Sequence, residues 1–362
     1  MMSDQKPTRH YPALDGVRGV AALSVVLFHL ERWLGEPGLA TNGNLSVDMF
    51  FTLSGFVLAV AYSRRIHSMS LWEFLLKRAI RFMPIIVLAT VISSSYLLSK
   101  AIWRTDEILY STLLLAFLTG AMNLPFFGAP SSIGGPQLFP LNGPQFSLFF
   151  EVVANGVWWA VRFGPQVAIA AATFLLSASC VIVYGIGGDT TATFWLGFAH
   201  VGSSFSIGVL IYHLNEALAP KKRHALSALF WCLALLMLGL FCIQVEAPFS
   251  IKLLWKFAFA PALVWTGSNV DLSATQARLC RYLGDLSYPI YALHYPIFCW
   301  VNGIIQAFTG GKNPALETLV VVLAVLAASH LFLELYDKPV RSYLDRRVGW
   351  RRSTNSATPS GS

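Results

Sequence analysis

Leu14-Asp15-Gly16-Val17-Arg18-Gly19-Val20-Ala21-Ala22-Leu23-Ser24-Val25-Val26-Leu27-Phe28-His29-Leu30 opens a mostly apolar run that continues to Leu34. About 20 such residues suffice for a helix to cross a bilayer. Yet the run carries Asp15, Arg18 and His29, and an ionisable group near the centre of a span costs roughly 2.5–3.5 kcal/mol on insertion scales. Arg18 and His29 are eleven residues apart, which is about three turns, so they share a face ~16 Å apart along the axis. One face thus offers a cation near one membrane surface and an imidazole toward the other. Snorkelling to the headgroups accounts for Asp15 and Arg18. It does not account for His29.

The whole chain has the composition of that run. Of its 362 residues, 55% are hydrophobic and 12% charged, and the mean hydropathy is +0.59. Soluble domains carry about 25% charged residues, so an integral membrane protein is expected. The net charge of +8 resides largely in short clusters, Arg64-Arg65, Lys77-Arg78-Arg81, Lys221-Lys222-Arg223 and Arg346-Arg347-Arg351-Arg352. Between apolar runs such clusters mark cytoplasmic loop ends. No aromatic-interleaved basic stripe points to nucleic acid. The five cysteines form no CxxC pair and sit mostly in apolar segments, where a thiol behaves as a small hydrophobe. Lys6 and Arg9 before an apolar run look like the start of a signal peptide, but the run is too long and broken by charge, so a retained anchor is expected.

Further apolar segments lie at about Leu45–Tyr62, Arg81–Leu98, Phe146–Val161, Val167–Ile186, Phe194–His213, Ala225–Ile243, Leu253–Gly267, Leu286–Phe308 and Leu316–Tyr336. The expectation is an all-α, polytopic bundle of about ten transmembrane helices. A shorter stretch, Ile108–Met122, has the length of a re-entrant or interfacial segment. Counting basic clusters inward from each end agrees only if this stretch does not cross and both termini are cytoplasmic. The Gly- and Pro-rich loop Phe126–Pro144 is then external, long enough to form a lip over a site. Residues 1–345 form one domain, with no internal repeat, and 346–362 form a basic, polar, disordered tail.

In this topology His29, Asp48, Glu151 and His294 fall toward the outer half of the membrane. A carboxylate beside an imidazole fixes its tautomer and raises its basicity, the base–orienter pair of proton transfer. The competing explanation is a hydrogen-bonded network that glues helices together, which serves better for any one of these residues than for all four. On the cytoplasmic side Arg78 and Arg81 stand at i, i+3, where two guanidiniums clamp phosphates, or where ordinary positive-inside charge would sit. Arg18 begins its helix on the same side. Gly55 suits a helix contact or a channel wall equally, and Ser54 as a nucleophile lacks a base at fixed spacing. His200, His213, His224 and His330 show no metal-ligand spacing and read as structural, with His200 facing the bundle.

Taken in order, Leu14-Asp15-Gly16-Val17-Arg18 through His29, Val47-Asp48-Met49-Phe50-Phe51 with Leu53-Ser54-Gly55-Phe56, Arg78-x-x-Arg81 with Pro84, Ser147-Leu148-x-x-Glu151, Ser287-Tyr288-x-x-Tyr291-x-x-His294 and Tyr336-Asp337-Lys338-Pro339-x-Arg341 resemble the acyltransferase 3 family of bacterial membrane O-acyltransferases. Phe146 stands where the family usually has Trp, and Asp337 where it often has Glu. No esterase-like domain follows, so the stand-alone form is expected. The resemblance implies transfer of an acyl group, commonly acetyl, from acetyl-coenzyme A to a hydroxyl of a sugar or glycan, in the inner membrane and without a metal. It implies Arg18 and His29 as the arginine–histidine pair and Arg78 and Arg81 as the Arg-x-x-Arg pair. In that reading His29 is the general base, Asp48 or Glu151 orients it, and Arg18, Arg78 and Arg81 hold the donor. Ser54, Tyr288, Tyr291 and His294 are substrate or oxyanion candidates. Buried Asp, Glu, His and Arg also build transport pathways, so a proton-coupled transporter of a small polar solute remains the alternative. A third reading is a membrane-embedded regulatory or scaffolding protein.

Overall fold

A computed structural model of the chain describes residues 10–35, 38–103, 109–218, 224–309 and 313–348. Lys6, Arg9, the cluster Lys221–Arg223 and residues 349–362 lie outside them, as does the side chain of His224. The described residues are helical, joined by loops whose one bridge pairs Gln137 with Thr190. The helices are α1 (Pro12–Leu34), α2 (Ser46–Tyr62), α3 (Leu71–Trp103), α4 (Tyr110–Ala121), α5 (Phe146–Ala160), α6 (Gln166–Tyr184) and α7 (Phe194–Leu218). They continue with α8 (His224–Cys242), α9 (Phe249–Leu254), α10 (Ala260–Gly267), α11 (Ala274–Thr309), α12 (Pro314–Phe332) and α13 (Lys338–Arg347). Single π-helical turns, Trp255–Phe259 and Leu333–Asp337, join α9 to α10 and α12 to α13.

Each apolar segment expected from the sequence is helical, and six of the described helices are long and apolar enough to cross a membrane. At 12 residues α4 is too short to do so. The helix α13 runs through Arg347, past the domain boundary expected at 345.

The sequence sets these elements locally. Pro12 begins α1, where its missing N–H is not needed, and Gly35 ends it in the left-handed conformation at φ 74°, donating to the Glu31 carbonyl. Gly16 and Gly19 bring α1 against α11: a Cβ on Gly19 would lie 2.6 Å from Leu283 Cβ. The contact of α2 with α7 is reciprocal. A Cβ on Gly55 would stand 2.0 Å from the Phe205 carbonyl oxygen, and one on Gly208 2.1 Å from that of Thr52. Gly55 is therefore a packing residue, one of the two uses its sequence left open. Small residues let backbones approach in this way.

Pro296 lies inside α11 and has no N–H for the Ala292 carbonyl four residues back. That carbonyl instead accepts from Asn142 Nδ2 at 2.9 Å. Through this bond the loop between α4 and α5 is tied to α11 at the end of the bundle where α1 finishes. We call that end distal, and the end where α1 begins proximal.

Candidate functional site: two cavities that share Tyr291

Of the cavities between the described helices, two are lined by candidate residues. The proximal one, about 400 Å³, is lined by the first two turns of α1 together with α2, α3, α5 and α11. The distal one, about 340 Å³, is lined by the last turns of α1, the start of α2, the α4–α5 loop, α7 and α11. Tyr291 lines both. Its hydroxyl donates to the Pro144 carbonyl at 3.0 Å and lies 2.7 Å from Ser147 Oγ, so the ring is held in place between the chambers.

The proximal cavity gathers the arginines. Arg78 and Arg81 lie three residues apart on α3 and both face it, as does Arg18 from α1. Arg18 donates to Asp15 Oδ1 at 3.1 Å and to the Gly284 carbonyl at 2.9 Å. Arg78 lies 3.4 Å from Glu151 Oε1 and 4.7 Å above the Phe82 ring. Asn155, one turn beyond Glu151 and with its amide oriented to satisfy the hydrogen-bond network, accepts from Arg78 Nε at 3.0 Å. Arg81 makes no ion pair within 4.0 Å among the described residues. A partly neutralised cluster that keeps an uncommitted guanidinium can receive a polyanion. Ser54 Oγ donates to Glu151 Oε1 at 2.6 Å, a partner its sequence spacing did not reveal. Tyr288 faces the same cavity, its hydroxyl donating to the Phe82 carbonyl at 2.5 Å.

His29 lines the distal cavity, and its ring packs against Trp33 at a centroid distance of 4.9 Å and against His294 at 5.2 Å, with those two rings 5.9 Å from each other. His294 lines neither cavity; Nδ1 meets the Tyr291 carbonyl at 2.7 Å, and Nε2 is buried without a partner.

The four groups expected at similar depth therefore do not form one cluster, and neither carboxylate bonds the His29 ring. Glu151 belongs to the proximal arginines. Asp48 faces the distal cavity, but its Oδ1 is occupied by Lys256 Nζ at 2.5 Å and His200 Nε2 at 2.9 Å. The contacts of the His29 ring are with Phe28, Trp33 and His294 instead.

Sequence reasoning passed over Lys256 and gave His200 a purely structural part. The available signal was a lysine inside the apolar run Leu253–Gly267, as costly there as the aspartate it pairs with. At the distal rim Lys252 donates to Glu246 at 2.7 Å, and this bond holds the Glu246 carboxyl below its ordinary value. Among the described residues, no group of three or more His, Cys, Asp or Glu is placed to hold a metal ion.

Comparison with known proteins supplies the remaining findings. Residues 11–334 match the Acyl_transf_3 family, described as an acyltransferase domain. The chain is similar to "Protein 2 in picA locus" of Rhizobium radiobacter, 32% identical over 189 residues that cover 49% of this chain and 95% of that protein. It is also similar to "Putative peptidoglycan O-acetyltransferase YrhL" of Bacillus subtilis, 23% identical over 92% of this chain and 55% of that protein. A third relative, named as an O-acetyltransferase with the same qualifier, comes from Staphylococcus aureus and is 22% identical over 96% of this chain and 60% of its own length. The chain thus spans 55% to 60% of the length of these O-acetyltransferase relatives. No solved structure matches it.

Proposed function

This chain belongs to the Acyl_transf_3 acyltransferase family, and from that premise we propose that it is a membrane O-acyltransferase moving an acetyl group from acetyl-coenzyme A to a hydroxyl of a sugar or glycan. The acceptor belongs to an exopolysaccharide, a lipopolysaccharide or a related glycoconjugate. The chain lies in the inner membrane in about ten spans, with both termini and the proximal cavity on the cytoplasmic side.

The observation that carries the proposal is the pairing of the two cavities across Tyr291, arginines in one and His29 in the other. Arg81, Arg78 and Arg18 take the donor's phosphates. Its narrow pantetheine arm passes Tyr291 and brings the thioester to His29. His29 accepts the proton of the acceptor hydroxyl as the oxygen attacks the thioester carbonyl carbon. The C–S bond breaks, and the imidazolium returns the proton to the departing thiolate. The stacked rings of Trp33 and His294 limit the rotation of His29, so the base is oriented without a carboxylate.

The test uses purified full-length chain in lipid nanodiscs with acetyl-labelled coenzyme A. Label leaves the thioester in the wild type. His29→Ala stays folded, binds coenzyme A as the wild type does, and releases no label above background. Full turnover in His29→Ala removes the proposed base. No turnover in the wild type, with a labelled polar solute crossing the membrane instead, favours a transporter.

A further inference from the structure

The transfer step leaves the buried charged cluster around Lys256 unused. Lys256 is fully buried on the π turn Trp255–Phe259. Its Nζ donates to Asp48 Oδ1 at 2.5 Å, to Ser204 Oγ at 2.6 Å and to the His200 carbonyl at 3.0 Å. His200 Nε2 lies 2.9 Å from the same Oδ1, and its Nδ1 lies 3.3 Å from the Gly187 carbonyl. Ser204 Oγ donates to Oδ1 at 3.3 Å. Apolar residues of similar volume often replace a buried ion pair with no loss of stability, so stability alone does not explain the cluster.

Its asymmetry is more informative. All three contacts end on Oδ1, whereas Oδ2 has no hydrogen bond among the described residues and is not sealed in, so it opens on the distal cavity that Asp48 lines. Trp33 and Tyr295 line the same cavity. A carboxylate oxygen fixed from behind and open in front is a ready acceptor for a hydroxyl.

We propose that Asp48 Oδ2 binds a second hydroxyl of the acceptor while His29 deprotonates the first, and that Lys256 is the positioning residue that keeps this carboxylate charged and in place. The inference rests on the O-acyltransferase reading and narrows it: the acceptor is a polyol that presents at least two hydroxyls to one cavity, rather than a simple alcohol. Lys256 never touches substrate.

The experiment compares the full chain with Asp48→Asn, Lys256→Met and the double variant Lys256→Met/Asp48→Asn, each supplied to cells that lack the gene. Acetate released by mild base from surface glycans reports transfer. Gel filtration in detergent reports folding, and calorimetric titration with coenzyme A reports the proximal cavity. Lys256→Met alone leaves a buried carboxylate without its ammonium and accumulates poorly. The double variant, neutral on both sides, folds and binds coenzyme A within twofold of the wild type. Its acetate release nevertheless stays roughly ten- to a hundredfold low, the size of a lost hydrogen bond to a charged group. If the double variant does not accumulate, Asp48→Asn with Lys256 intact gives the same reading. Wild-type acetate from a folded double variant, or from Asp48→Asn, would overturn the proposal and leave the transfer reading standing. Wild-type cells that release no more acetate than empty-vector cells overturn both.

Discussion

Replacing Gly55 by alanine tests how closely α2 and α7 must approach. The added Cβ would lie 2.0 Å from the Phe205 carbonyl oxygen, a main-chain atom, where real Cβ atoms stay beyond 3.0 Å. One helix must therefore retreat by about 1 Å. Overpacking of this kind costs typically 1–3 kcal/mol, and here no flexible side chain can yield. Because α2 carries both Ser54 and Asp48, its shift also disturbs both cavities. Gly208→Ala forces the same separation from the other side, 2.1 Å from the Thr52 carbonyl oxygen. The double variant should accordingly cost less than the sum of its parts. Gly156 on α5 is the control: nothing stands within 4 Å of a Cβ there, and alanine gains up to about 1 kcal/mol in helix propensity. Unfolding in mixed detergent and sodium dodecyl sulfate, followed by tryptophan fluorescence, measures all four. If Gly55→Ala unfolds at the same midpoint as Gly156→Ala and retains full acetyl transfer, the close crossing of α2 and α7 is refuted.

Two further outcomes bear on the cavities. Arg78→Ala leaves Glu151 without its cation, so Arg78→Ala/Glu151→Gln is the cleaner variant; coenzyme A affinity by titration calorimetry should fall roughly tenfold or more, the worth of one charge-assisted hydrogen bond, with the fold intact. Tyr291→Ala removes the side chain that lines both chambers. Hydrolysis of acetyl-coenzyme A by water should rise relative to transfer, and an unchanged ratio in a labelled-acetate assay would mean that Tyr291 does not partition the site.

The helices were legible in the sequence because an apolar run of membrane length has few other uses. The shortness of α4 was legible too, from the length of its apolar run. What depth along a helix does not fix is azimuth. Asp48 on α2 faces α7 and Lys256, whereas Glu151 on α5 faces Arg78. No spacing rule within one helix reveals that difference, which arises from how helices pack. Ser54 found its partner only in three dimensions, across 97 residues. Lys256 was hidden for another reason: a single charge barely lowers the average hydropathy of an apolar segment, although its cost points to a partner.

The two π turns share a property with evolutionary weight. Each contains a charged residue with no exposure to solvent, Lys256 in one and Asp337 in the other. A π turn is an α-helix with one residue added, and helical neighbours differ by about 100° in direction. Losing a single codon at either place would restore an ordinary helix and swing the charge toward lipid or a neighbouring helix. Inserting one codon into an existing span is thus a short genetic route to an internal charge, reached without redesigning the helices on either side.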